Sequence, residues 1–203
     1  MKIINYKKDL LPLYKASAKK PSIIEVPALN YLMVDGRGDP NTAQSFKEAV
    51  STLYSVSYNL KFACKEKMNL NYFVGPLEGL WWTDDMRLFS AEKKDDWKWT
   101  LMILQPEIIT KGIAGESIET IKKKSTFDRF PKIRFERFVE GSCAQIMHVG
   151  PYAAEGPAIK TLHKFIDDNL YNLRGKHHEI YIGDPRKSAP EKLKTIIRQP
   201  IKN

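Results

Sequence analysis

Cysteine is nearly absent from this chain. Cys64 and Cys143 are the two in 203 residues, they lie far apart, and no spacing pairs them into a pattern. That excludes a disulfide scaffold or a cysteine-based zinc module, and reduced thiols are the expectation. Long apolar runs are missing too. No stretch approaches the ~20 residues a membrane span needs. The N-terminal MKIINYKKDLLPLYKAS carries lysines but no apolar run or small-residue cleavage site, so no signal peptide is read. The expected location is therefore cytoplasmic, with no membrane association. His148, His163, His177 and His178 do not fall at zinc-ligand spacing, and all four take a structural or surface reading. DGRGDP has two glycines but no lysine-serine ending, so a turn accounts for it better than a phosphate loop. No Ser or Cys stands in a nucleophile elbow. The expectation is no metal and no cofactor. Net charge is +9, but the lysines are scattered and mostly mixed with acids. The densest run, Lys122-Lys123-Lys124, reads as a solvated helix end. Without a helix-turn-helix or zinc-finger pattern, direct DNA binding is not expected.

What is present is an ordinary globular composition, 42% hydrophobic and 28% charged. The length suits one large domain or two small halves. Two segments resemble each other: NYLMVDGRGDPN (30–41) and AQIMHVGPYAAE (144–155). Each is a short apolar strand broken by Gly and a polar or Pro turn, and each runs into a helical pattern. In the first copy Phe46, Val50, Leu53, Ser57 and Leu60 share one helix face, with Asn41 and Gln44 as a capping arrangement. In the second, Ile159, Leu162, Ile166, Leu170 and Leu173 do the same. Both helices lead to a strand ending in an apolar-Gly pair, NLNYFVGP (69–76) and HHEIYIGDP (177–185). GLWWT (79–83) and DWKWTLMIL (96–104) read as further strands. Residues 133–139 read as the hairpin partner of the second copy's first strand, and residues 116–124 as a connecting helix. SAPEKLKTIIRQP carries a capping box from Ser188 to Glu191, which predicts a C-terminal helix over about 189–198. The predicted fold class is α+β: duplicated strand-helix-strand-strand units related by pseudo-twofold symmetry, with antiparallel sheets forming a ligand cleft between halves. A single domain spans 1–203, with a first repeat over about 22–104 and a second over about 132–185.

Alternation puts His177, Glu179 and Tyr181 on one face of a strand, and Ile180 and Ile182 on the other, toward the helix. Glu is a poor strand former. Here its own-face neighbours are aromatic or amphipathic rather than lysines. Elsewhere the strands carry Phe73, Trp81, Trp82, Trp97 and Trp99, and alternation keeps at least one of Trp81 and Trp82 out of a helix-side core. An aromatic cage with one carboxylate suits a planar aromatic or cationic small molecule. Glu78 reads as a turn residue in preference to a second carboxylate near a cleft.

PLEGLWW (76–82), WKWTLMILQP (97–106), HVGPYAAEGPAI (148–159) and HEIYIGDPRKSAPEKLKTIIRQPI (178–201) resemble GyrI-like small-molecule-binding proteins. These share a fold with the effector-binding domains of multidrug-responsive transcription activators. The resemblance covers most of the chain. It implies that Glu179 is the acidic residue at the floor of the cleft. It also implies a possible activity, because some stand-alone members hydrolyse cyclopropane-bearing DNA-alkylating natural products with a Glu and a Tyr at the reacting centre. Carried over, Glu179 and Tyr152 are the catalytic candidates, with Tyr72 and Tyr181 as rival tyrosines. Phe73, Trp81, Trp82, Trp97, Trp99, Tyr72 and Tyr181 are the candidate ligand-binding residues. About twenty residues precede the first strand, too few for a DNA-binding domain, so a free-standing pocket is expected. The preferred reading is a stand-alone small-molecule-binding protein with an aromatic cleft and a central Glu, expected to hydrolyse cyclopropane-bearing planar xenobiotics by Glu/Tyr-assisted water addition. Non-catalytic multidrug binding or sensing, and an interaction protein inhibiting DNA gyrase, are the alternatives. Oligomeric state stays open.

Overall fold

A computed structural model of the protein describes residues 2–85 and 93–203. In chain order the elements are β1 (Lys2–Ile4), α1 (Tyr6–Asp9), α2 (Leu11–Tyr14), β2 (Ser22–Val26), β3 (Leu29–Arg37), α3 (Gln44–Met68), β4 (Leu70–Tyr72), β5 (Glu78–Trp82), β6 (Lys98–Gln105), α4 (Lys111–Lys124), β7 (Ile133–Phe138), β8 (Gly141–Val149), α5 (Gly156–Asp168), β9 (Asn172–Leu173), β10 (His177–Tyr181) and β11 (Lys194–Lys202). Short 3-10 turns cover Lys94–Asp96, Tyr152–Ala154 and Pro190–Lys192. The α+β class expected from the sequence is the class observed. Residues 86–92 of the expected first repeat lie outside the described residues.

The chain divides into two compact units, each assembled from separate segments. Unit 1 holds Met1–Asn5, Leu29–Leu77 and Trp81–Phe138. Its strands run in the order β6-β3-β7, with the Trp81–Trp82 end of β5 on the β6 side, and a two-stranded parallel pair, β1 with β4, belongs to the same unit. Helix α3 packs on β3, β4 and β6. Its buried residues, Ala49, Leu53, Val56, Leu60 and Cys64, recur at steps of three and four, which is the apolar stripe a sheet-packed helix requires. The helix ends where Asn69 turns left-handed and returns its N–H to the Cys64 carbonyl. The expected Asn41–Gln44 cap does not form. Asn41 bonds to Asp39, and Gln44 reaches Glu48 along the helix.

Unit 2 holds Tyr6–Ala28, Glu78–Leu80 and Val139–Asn203. Its strands run β2-β8-β11-β10, with β9 also on β11. The two orders correspond. The strand before the long helix is central in each: β3 lies between β6 and β7, and β8 between β11 and β2. This corrects the expected hairpin between β7 and β8. β7 pairs with β3, in the register Leu32↔Phe135, and β8 pairs with β2 and β11. Sequential strands are neighbours only about two-thirds of the time. Here an ion pair from Arg134 to Asp35, 2.7 Å, ties β7 to the strand that it joins.

The predicted C-terminal helix is also corrected. Pro190–Lys192 makes one 3-10 turn and β11 follows as a nine-residue strand. The Thr195-Ile196-Ile197 run favours extended backbone. The Ser188 N–H bonds to the Asp184 carbonyl, so no capping box forms. β11 is buried from Thr195 to Ile201, which erases the two-residue alternation that would have marked it as a strand. Helix α5 likewise stops at Asp168. Leu170 adopts a positive φ and is 87% exposed, and Leu173 falls in β9, so neither continues the helix face.

Candidate functional site

The site is built on β10. As alternation requires, His177, Glu179 and Tyr181 project to one side. His177 Nε2 lies 3.1 Å from Glu179 Oε1, and the Tyr181 hydroxyl donates to Glu179 Oε2 at 2.7 Å. The side they occupy differs from expectation. Glu179 sits opposite Ile197, which sits opposite Ile146, and cross-strand partners share a face. Ile146 and Ile197 are in the apolar cluster that receives Leu162 and Ile166 of α5. The helix therefore covers the Glu179 face, not the Ile180 face.

The start of α5 brings a second carboxyl to that face. Glu155 immediately precedes the helix and is 5% exposed. Its carboxyl meets that of Glu179, with the Thr195 hydroxyl beside it. Burial, then the charge on Glu179, pushes Glu155 up to about 9, and Thr195 offsets a little of this. Glu179 moves the other way. Burial alone would raise it, but the His177 ring, the Tyr181 hydroxyl and the Glu155 carboxyl hold it below the usual range. His163, on α5, is pushed down by burial and by His177. Tyr152, in the 3-10 turn before α5, sets its ring 5.4 Å from that of Tyr181, edge to face, and stays 38% exposed. The two carboxyls are thus shifted in opposite directions, and the Tyr181 hydroxyl ties the Tyr152–Tyr181 ring pair to Glu179.

The other face of β10 carries a second buried polar group. His178 lies between Glu140, 2.8 Å, and Glu78, 3.1 Å. Tyr14 donates to Glu78, and Arg198 binds Glu140, Gln145 and the Leu13 carbonyl. Glu78 is thus a buried strand residue, which corrects its reading as a turn residue. The sequence places Gly79 and Pro76 around it, and this turn-like composition masked the strand.

Of the sequence-predicted site residues, Glu179, Tyr181 and Tyr152 come together in unit 2. The others lie in unit 1. Trp81 and Trp99 are buried against Phe46, and Trp97 meets the edge of Trp81. Trp82 and Trp97 are partly exposed. Tyr72 is buried, and its hydroxyl donates within 3.3 Å of the Ser57 carbonyl and Gln105 Oε1. Phe73 is exposed under the Lys61 ammonium. Sequence reasoning missed Glu155, although it stands inside the GPYAAEGPAI segment. A carboxylate at a helix start is ordinarily a solvated dipole partner, and only the packing of α5 on β8 and β11 marks this one as different. Among the described residues, no group of three or more His, Cys, Asp or Glu side chains is placed to hold a metal ion. No helix among them is long and apolar enough to cross a membrane.

Known proteins carry the same plan. An uncharacterized conserved protein from Listeria innocua is 36% identical, with 98% of this chain and 100% of that one covered and a TM-score of 0.90. A hydrolase encoded by lin2189 from the same organism is 35% identical, covering 99% and 100%, at 0.88. The EcmrR C-terminal domain, at 15% identity, 91% and 98% coverage and 0.55, shares the fold alone. No curated protein matches the chain. The GyrI-like small molecule binding domain matches residues 19–202. The chain therefore belongs to the GyrI-like family, and its domain is a small-molecule-binding one.

Proposed function

We propose that the protein binds planar, electrophilic small molecules bearing a strained ring, and hydrolyses them by water addition with Glu179 as base. The observation that carries this is the Glu179 carboxylate. It is ionised, partly buried and oriented on both oxygens by His177 and Tyr181. A base in that state needs no prior proton loss to act at neutral pH. The likeness to a Listeria innocua hydrolase along the whole chain supports the reaction class. For a cyclopropane conjugated to a carbonyl, Glu179 takes a proton from water. The hydroxyl oxygen bonds to the ring methylene as the adjacent carbon–carbon bond breaks. The electron pair passes to the carbonyl oxygen, where a tyrosine hydroxyl, assigned to Tyr152, supplies a hydrogen bond and the balancing proton. Within unit 1, Trp82 and Trp97 retain exposed surface, whereas Trp81 and Trp99 are buried. Xenobiotic detoxification in the cytoplasm is the proposed role.

The test is turnover of a cyclopropane-bearing pyrroloindole alkylator, followed by mass spectrometry, for wild type and Glu179→Gln. A water adduct in wild type, reduced about 10²–10⁴-fold in the variant, is expected. Binding without product in both proteins would leave the second reading, a binding or sensing module for cationic drugs. The tyrosine pair beside one carboxylate favours that reading, through cation–π contact. A gyrase-inhibiting role would instead be indifferent to Glu179.

A further inference from the structure

A half-open groove of about 270 Å³ lies between α3 and the end of α4, both in unit 1. Its two walls differ in chemistry. From α3 come Ser51, Thr52 and Ser55, three hydroxyls within one helical turn. From α4 and the loop after it come Ile121, Lys124, Phe127 and Phe130. That loop is fixed at its start, where the Ser125 N–H bonds to the Lys122 carbonyl and the Phe127 N–H to Ser125 Oγ at 3.2 Å. Thr52 is the most deeply buried of these residues, 2% exposed, and its hydroxyl has no hydrogen-bond partner. A helical threonine can satisfy its hydroxyl at the carbonyl four residues back. Thr120 does so to Glu116 and Thr161 to Pro157, but Thr52 does not. A buried hydroxyl without a partner costs stability and calls for an explanation.

We propose that this groove is a second small-molecule site, for an aromatic carboxylate of a single ring. None of its residues belongs to the site around Glu179, and the inference does not depend on hydrolysis there. The volume is slightly below the ~300–1,000 Å³ of pockets for drug-sized ligands, so one ring with a short acid arm is the size class. The ring lies on Ile121, Phe127 and Phe130, whose apolar surface is only half-buried. The carboxylate turns to the α3 wall and accepts from Thr52 and its serine neighbours, with the Lys124 ammonium as counter-charge. No carboxylate is among the described lining residues, so an anion meets no repulsion from the walls. The end of α4 directs about half a negative charge toward the groove. Lys122, Lys123 and Lys124 fill that last turn, and among the described residues only Lys122 of the three has an ion pair, with Glu119. The local balance is therefore positive.

The test is a proton–nitrogen correlation NMR titration of the full chain with benzoate. Saturable shifts are expected at the amides of residues 51–55 and 124–130. Benzyl alcohol, the same ring without the charge, should bind about tenfold more weakly, the worth of one charge-assisted hydrogen bond. Lys124→Gln, at an exposed position, should weaken benzoate to the level of benzyl alcohol and leave benzyl alcohol unchanged. Thr52→Val keeps the shape and removes the hydroxyl. It should weaken benzoate several-fold while the Tm of the free chain holds or rises, because an unpartnered polar group gives way to an apolar one. A lower Tm with benzoate affinity unchanged would assign the hydroxyl to the fold and overturn the proposal. So would the lack of any saturable shift with benzoate, or equal affinity for benzyl alcohol. The same shifts with inorganic phosphate at matching affinity would also overturn it, by reducing the groove to a simple anion site.

Discussion

Glu179 and Gly36 show how single positions are decided by their surroundings. Glu179 is ionised because its strand supplies donors two residues away on either side, a consequence of the two-residue period. Gly36 is needed because the Trp99 ring lies across it in the β3–β6 register. A Cβ at Gly36 would stand 2.1 Å from that ring. Gly36→Ala must therefore displace Trp99 or bend β3. Overpacking of this kind costs about 1–3 kcal/mol. A lower urea midpoint and altered tryptophan fluorescence are expected. An unchanged midpoint would show that the ring moves freely.

Among the elements, β10 and β11 matter most, because they carry different chemistry on their two faces. One face holds Glu179 under α5. The other holds His178 and Arg198, with Glu140 between their cationic groups. All three are essentially excluded from solvent. Removing one charge from such a group leaves the others uncompensated, at about 3–5 kcal/mol. Glu140→Gln should lower stability by that order in chemical denaturation. A loss below about 1 kcal/mol would mean that solvent reaches the group. The strand β10 was legible from alternation and α3 from periodicity, while α4, expected over 116–124, begins earlier, at Lys111. β11 was not, because burial on both faces left an apolar run headed by helix-like capping residues. The pairing of β7 was not legible either, since a strand's partner is a property of distant residues.

At the scale of the whole molecule, Glu155, His178 and Glu140 shape the pH dependence of stability, with Glu179 acting in the sense of Glu140 and His163 opposing His178. Glu155 is raised, so the folded chain keeps a proton that the unfolded chain releases near pH 4.3, the usual glutamate value of about 4.3. Stability therefore falls as pH rises from there to about 9. His178 is raised by Glu140 and Glu78 against the opposing effect of burial. Its contribution is full below about pH 6.5 and is lost as pH climbs through its folded value. Glu140 is lowered by His178 and Arg198, again against burial. Its contribution is full above about pH 4.3 and is lost as pH falls through its folded value. The expected profile peaks on the acid side of neutrality and declines toward pH 9. Glu155→Gln should flatten the alkaline decline, measured as Tm against pH. A wild-type profile that rises from pH 6 to 9 would contradict the assignment.

By itself the sequence determined the α+β class, the family, the long helix α3, and the placement of His177, Glu179 and Tyr181 on one strand face. These follow from local periodicity, turn residues and motif likeness, which neighbouring residues write directly. Only the tertiary structure decided that α5 covers the Glu179 face, that Glu155 meets Glu179, and that Glu78 and His178 are buried partners. Which side of a sheet receives a helix, and which charges lose their water, depend on pairings between residues a hundred or more positions apart, as Glu78 and His178 are. Alternation names the two faces of a strand but not what covers each of them.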